Sequence, residues 1–172
     1  MPNFDVFGNI NSPVVTEGIG GNGIRSGVLY YANTNPQNTS GSTSFLALQL
    51  SNPTTAVRQA RIVRVFGGAF TNTILHYIRN GTLNGGVTLN AYNGNFSYPD
   101  ISQMIPTFIA TNSGNPVTGG VTLASFIQVG GPVTNEVDGR VMLSPGDRFI
   151  VLLQNAVAGN NIQSIAINWI EK

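Results

Sequence analysis

The sequence predicts an all-β protein, a two-sheet jelly-roll sandwich with an extended N-terminal arm, and three observations carry that expectation. Ten candidate strands, rich in Val, Ile, Thr, Phe and Tyr, follow one another between Ile24 and Ile170. The gaps between them hold Gly, Pro, Asn and Asp. No segment offers ten residues of apolar pattern at the helical period. Short strands in this number belong to a sandwich or a barrel, and eight core strands plus extras make the jelly roll the best fit. An immunoglobulin-like sandwich ranks second, because it usually needs fewer residues and its Cys…Trp…Cys pattern is absent here.

In chain order, residues 1–17 read as an arm. Phe4, Val6, Phe7, Ile10, Val14 and Val15 are more apolar groups than a disordered tail usually carries, and Phe4 and Val6 fall on one face of a strand. Two arrangements are open. The arm is an edge strand of its own domain, or it is donated to the sheet of a neighbouring subunit, with backbone hydrogen bonds for affinity and alternate side chains for register. Residues 18–23 contain Gly18, Gly20, Gly21 and Gly23 and read as a hinge of little backbone preference. The body occupies residues 24–172.

Within the body, strands are expected at Ile24–Tyr31, Phe45–Leu50, Gln59–Phe66, Thr73–Arg79, Val87–Ala91, Met104–Ala110, Val121–Val129, Arg140–Leu143, Arg148–Gln154 and Ile162–Ile170. Leu46, Leu48 and Leu50 share one face, as do Ile165, Ile167 and Trp169, which predicts a buried indole. The Arg148–Gln154 stretch is apolar on both faces, so it is expected to be central or covered by a second layer. Asn80-Gly81, Asn93-Gly94 and Asp138-Gly139 suit turns with positive φ, and Ser144-Pro145-Gly146-Asp147 suits a type II turn.

Composition narrows the function. Only 9% of the 172 residues are charged, against about 25% in an ordinary soluble domain. With a net charge of +1, copies hardly repel one another, which favours association. One His (His76) and no Cys leave few tools for catalysis, so neither an enzyme nor a cofactor is expected, and a metal site would lack ligands. No apolar run is long enough to span a membrane. The opening Met-Pro-Asn-Phe-Asp-Val-Phe-Gly-Asn has neither the basic nor the apolar region of a classical signal peptide.

The motifs that suggest chemistry have plainer readings. Gly18-Ile19-Gly20-Gly21-Asn22-Gly23 satisfies G-x-G-x-x-G, but the residues after it are strand-like, and no acid stands near position 43 to meet a ribose. His76, inside Ile74-Leu75-His76-Tyr77-Ile78, is expected to be structural. Glu136 and Asp138 could flank a sugar bond, yet Thr134–Gly139 reads as an acidic turn. Arg58, Arg61 and Arg64 cluster in a nearly neutral domain, which suits cross-strand or inter-subunit pairs with acids, not a nucleic-acid footprint. Tyr92-Asn93-Gly94-Asn95-Phe96-Ser97-Tyr98-Pro99-Asp100 is the richest carbohydrate-binding candidate, and its plainer reading is a turn closing the end of the sandwich.

The layout of apolar arm, glycine hinge, Asn/Thr/Gly-rich body and no signal peptide resembles the subunits of bacterial endospore appendages. Gly130-Gly131-Pro132, Asp138-Gly139-Arg140 and Ser144-Pro145-Gly146, with the apolar Phe149–Leu153 after them, also have the cadence of bacterial surface and phage structural domains. The resemblance implies a spore-surface or extracellular fibre whose subunits stack helically by strand complementation. Cross-linking through arm cysteines, known in that family, does not carry over to a chain without Cys. The expected role is therefore a structural subunit of a self-assembling fibre, with copies of itself as partner and no nucleic-acid or membrane partner. The alternative is a carbohydrate-binding or phage tail or capsid module that recognises a glycan or surface receptor.

Overall fold

A computed structural model describes residues 19–172. A short helix, α1 (Ile19–Arg25), leads into β1 (Leu29–Asn33), β2 (Gln37–Ser40), β3 (Phe45–Ser51), β4 (Ala60–Ala69) and β5 (Thr73–Arg79). Three short strands come next: β6 (Thr82–Leu83), β7 (Val87–Thr88) and β8 (Tyr92–Asn93). The remainder comprises β9 (Ile105–Thr111), β10 (Val117–Thr118), β11 (Val121–Gln128), β12 (Gly131–Leu143), β13 (Arg148–Asn155) and β14 (Asn160–Glu171).

Two antiparallel sheets face each other. One runs β12-β4-β14-β1-β8, with β2 also pairing β14, and the other runs β11-β5-β13-β3-β9-β7. The core strands β1, β3, β4, β5, β11, β12, β13 and β14 can be numbered one to eight in chain order. One sheet then reads first, eighth, third, sixth, and the other second, seventh, fourth, fifth. That alternation between sheets is the jelly roll, as expected. Outside this frame, β9 extends the second sheet beyond β3.

The alternation legible in the sequence sets the faces. Leu46, Leu48 and Leu50, then Phe149, Val151 and Leu153, then Ile165, Ile167 and Trp169 all meet in the space between the sheets. Trp169 is fully buried there, stacked on Tyr30 with ring centroids 6.1 Å apart. β13 is both central and covered. Val151 lies opposite Leu48 on one side and Tyr77 on the other. On its outer face, Ile150 and Leu152 pack with Phe45, Ala47 and Ile78 beneath Leu83 and Val117. Those last two come from the small β6-β10 sheet, so part of the segment between β5 and β11 folds back as a third layer.

Several local expectations are corrected. The strand expected at Ile24–Tyr31 starts only at Leu29, because α1 runs to Arg25 and Gly27 turns the chain at φ +66°. The glycine segment read as a hinge is helical from Ile19 onward. Gly23 allows close packing there, since a Cβ would lie 2.7 Å from Ile170 Cδ1. The glycines of the G-x-G-x-x-G pattern from Gly20 on thus lie inside a helix, not in the turn before one. Of Val87–Ala91, only Val87 and Thr88 pair. β2, polar throughout, has no counterpart among the expected strands.

The largest correction concerns β12. Arg140–Leu143 is the end of a thirteen-residue strand, and the expected acidic turn at Thr134–Gly139 belongs to that strand. The register slips between Glu136 and Val141, and Asp138 and Gly139 take φ of 51° and 73°. The positive φ is real, but it serves a bulge within the strand. Asn93 pairs in β8, and neither it nor Gly94 has positive φ. The Ser144–Asp147 turn is as expected, with Gly146 at φ 93° and Asp147 N donating to Ser144 O at 2.9 Å.

Candidate functional site

The two lateral sides of the sandwich are built differently. On one side each sheet ends in a long strand, β11 or β12, with an unpaired outer edge among the described residues. On the other side the sheets end in β7 and β8, two residues each. Short edge strands protect against edge-to-edge pairing, whereas a long apolar edge invites it. β12 carries protective features of its own: Pro132, the charges Glu136, Asp138 and Arg140, and the bulge. β11, Val-Thr-Leu-Ala-Ser-Phe-Ile-Gln, has neither charge nor proline. Ile127 is 85% exposed, and Val121, Leu123 and Phe126 are exposed with it.

Between these two strands the sandwich gapes. A cleft of about 240 Å³ opens there, with Leu123 and Phe126 on one wall and Val137 and Val141 on the other. Tyr77 and Phe149 line it from deeper in. Ring centroids of Tyr77 lie 5.8 Å from Phe126, edge-on, and 5.5 Å from Phe149. One polar bond crosses the gap: Asn135 Nδ2, from β12, donates to Tyr77 Oη, from β5, at 2.9 Å. Burial pushes the Tyr77 hydroxyl above its usual range, while the Asn135 bond pulls the other way. At the rim, Arg64 and Glu136 form an exposed ion pair across β4 and β12.

The described chain enters at the other side. α1 lies close to the start of β1, where a Cβ at Gly23 would stand 3.3 Å from Leu29 Cβ, and Val28 N closes the end of the helix by donating to Gly23 O at 2.9 Å. Between β1 and β12 stand β14 and β4, a separation of three strand spacings or roughly 14 Å.

The remaining candidates fall into place around this frame. Phe4, Val6, Phe7, Ile10, Val14, Val15 and Gly18 lie outside the described residues; Gly20, Gly21 and Gly23 are in α1. Glu136 pairs with Arg64, so it faces a cation and not its neighbour Asp138. His76 Nδ1 sits 2.8 Å from Ser125 Oγ, tying β5 to β11. Arg58 Nη1 reaches Asp100 Oδ2 at 2.7 Å and Glu171 Oε2 at 3.8 Å. Asp100 also accepts from Tyr30 Oη at 3.1 Å. The Arg58 guanidinium holds the Asp100 carboxyl below its ordinary value. Burial, reinforced by the Asp100 bond, pushes Tyr30 up to about 12.

Among the described residues no cluster of His, Cys, Asp or Glu could hold a metal ion, and no helix is long and apolar enough to cross a membrane. Sequence reasoning missed the cleft, because Tyr77 and Asn135 stand 58 positions apart and no local pattern joins them. No protein-family model, curated protein or solved structure compared with the chain matches it.

Proposed function

We propose that the protein is the structural subunit of a self-assembling fibre, at a spore or cell surface, in which residues 1–17 of one copy dock as a strand on the β11 side of the next. The β11 edge, which has neither charge nor proline and only a bulge between Thr122 and Ala124, lies beside an apolar cleft, and this is the observation that carries the reading. β11 is eight residues long and exposes Val121, Leu123, Phe126 and Ile127. The apolar set Phe4, Val6, Phe7 and Ile10 spans a segment of similar length. Backbone pairing along the edge would set the direction, and burial of half-exposed Leu123 and Phe126 would supply affinity. The eight residues 11–18, between that apolar set and α1, extend to about 26–29 Å at most, a linker with which the arm can leave the β1 side of its own body before it pairs. Because donor and acceptor differ, the contact is head-to-tail and repeats into a filament.

The test is a chain lacking residues 1–17, melted and imaged by negative-stain electron microscopy beside the intact protein. The expected outcome is a body that melts cooperatively, near the intact temperature, and forms no fibres. Replacing Phe4 and Val6 with Asp should do nearly as much, since two carboxylates would replace the apolar side chains in a mostly apolar cleft whose one lining cation is Arg140 among the described residues. A truncated chain that still polymerises normally would overturn the proposal, and a sharp fall in melting temperature would place the arm in its own sheet instead.

A further inference from the structure

We infer that the loop around β8 forms a binding site for a neutral saccharide, distinct from the β11 side and independent of how the chain assembles. Two adjoining hollows of about 340 and 460 Å³ meet at Tyr92, each within the size range of small-molecule sites. One is lined by the aromatic residues Tyr31, Tyr92 and Phe96, the other by Asn33, Asn35 and Asn90 beside Tyr92, with Asn33 Nδ2 donating to Asn35 Oδ1 at 3.4 Å. Among the described residues, none that lines either hollow is charged. Phe96 is 98% exposed and Tyr92 65%, so the rings stand in solvent as platforms.

That exposure is held in place. Asn93 Oδ1 accepts from Asn95 N at 2.9 Å, Asn95 Oδ1 from Ser97 N at 3.2 Å, and Asn95 O from Tyr98 N at 3.0 Å. Asn93 Nδ2 anchors the loop to Gly27 O at 2.7 Å. Gly94 lets the backbone close on Tyr31, whose Cε2 would lie 2.8 Å from any Cβ there. A loop whose backbone is fixed by its own hydrogen bonds leaves only the Phe96 side chain to be ordered on binding. The chemistry fits a sugar. An aromatic face is electron-rich and attracts the polarised C–H face of a pyranose. A primary amide offers both donor and acceptor, matching neighbouring hydroxyls. The Asn90 amide and the Tyr92 hydroxyl have no hydrogen-bond partner among the described residues, so both are available. With no charge among the described lining residues, an ionic ligand would meet no counter-charge, which favours an uncharged one.

The experiment titrates the full-length chain by calorimetry with cellotetraose, chitotetraose and maltotetraose, and with tetragalacturonate as the charged control. At least one neutral tetrasaccharide should bind, at least tenfold more tightly than the galacturonate. Tyr92→Ala and Phe96→Ala should each weaken that binding tenfold or more while the melting temperature holds. If either variant melts lower, Asn90→Ala reads the same loss at a side chain that supports no other group. Failure of all three neutral sugars to bind, or affinity unchanged in these variants, overturns the inference. A Tyr92→Ala chain that loses polymerisation, in a protein that binds no sugar, makes the loop a contact between copies. Deletion of residues 1–17 should leave sugar binding intact, so this inference and the fibre proposal fail separately.

Discussion

Replacing Glu171 with Ala should cost more stability than any surface charge in the chain. Its side chain is fully buried and gathers donors from three parts of the fold. Trp169 Nε1 donates to Oε1 at 2.8 Å, Gln103 N donates to Oε2 at 3.0 Å, and the Ser102 hydroxyl also donates to Oε1. Arg58 Nη1 stands 3.8 Å from Oε2. Alanine leaves the buried indole and the half-buried Gln103 amide without an acceptor, at about 1–3 kcal/mol each, the amide at the lower end. Ser102 can turn toward Met104 O, already 3.5 Å away, and so adds little. Removing one partner of a buried charged network costs about 3–5 kcal/mol, in line with that sum. In a chain of this size the melting temperature should fall by about 6–20 °C. Glu171→Gln keeps one acceptor oxygen but turns an amide N–H₂ toward another N–H, and should lose less, about 1–3 kcal/mol. Urea unfolding monitored by Trp169 emission measures both variants. A loss under about 1 kcal/mol for the alanine variant would refute the argument that these donors depend on the carboxylate.

Two further outcomes are expected. Tyr30 keeps its proton to about pH 12 in the folded state against 10.0 for a free tyrosine, so the neutral form favours folding. The corresponding stability, roughly 2–3 kcal/mol, is complete below pH 10 and disappears as the pH rises through 12. Tyr30→Phe should flatten the alkaline unfolding profile in that window, and a profile identical to that of the parent chain contradicts the assignment. Fibre assembly should be nearly indifferent to salt and to reducing agents, because the proposed contacts are apolar and backbone-mediated and there is no Cys. Dissolution by NaCl alone would count against it.

The jelly roll is legible because its core strands announce themselves locally. Leu46, Leu48 and Leu50 alternate, as do Ile165, Ile167 and Trp169, and the two-faced apolar pattern of β13 signals a layer on each side. The features that escape detection depend on distant partners. β12 reads as polar and turn-like because half its residues face solvent. Only pairing with β4, from Ala60–Leu143 to Ala69–Gly131, makes it a strand. β2 is polar and gains its structure from Asn160–Gln163 of β14. α1 is too short and glycine-rich for a periodic signal, and it forms where Gly23 can nest on Ile170. The aromatic loop is legible as a cluster, but the exposure of its rings, in place of a closed sandwich end, is not.

The placement of β13 and β14 has a kinetic consequence. Each is flanked on both sides by strands that precede it in the chain: β3 and β5 for one, β1, β2 and β4 for the other. During synthesis from the N-terminus, neither sheet can therefore zip shut along its middle until nearly every other strand has emerged. Up to then, Leu46, Leu48, Ile62 and Val65 lack the neighbours that bury them. Folding dominated by such distant pairings is slow, on the scale of milliseconds to seconds. On the proposed mode of assembly, an acceptor edge that depends on the finished sandwich would mature after the arm proposed to fill it, and polymerisation would wait until the body has closed.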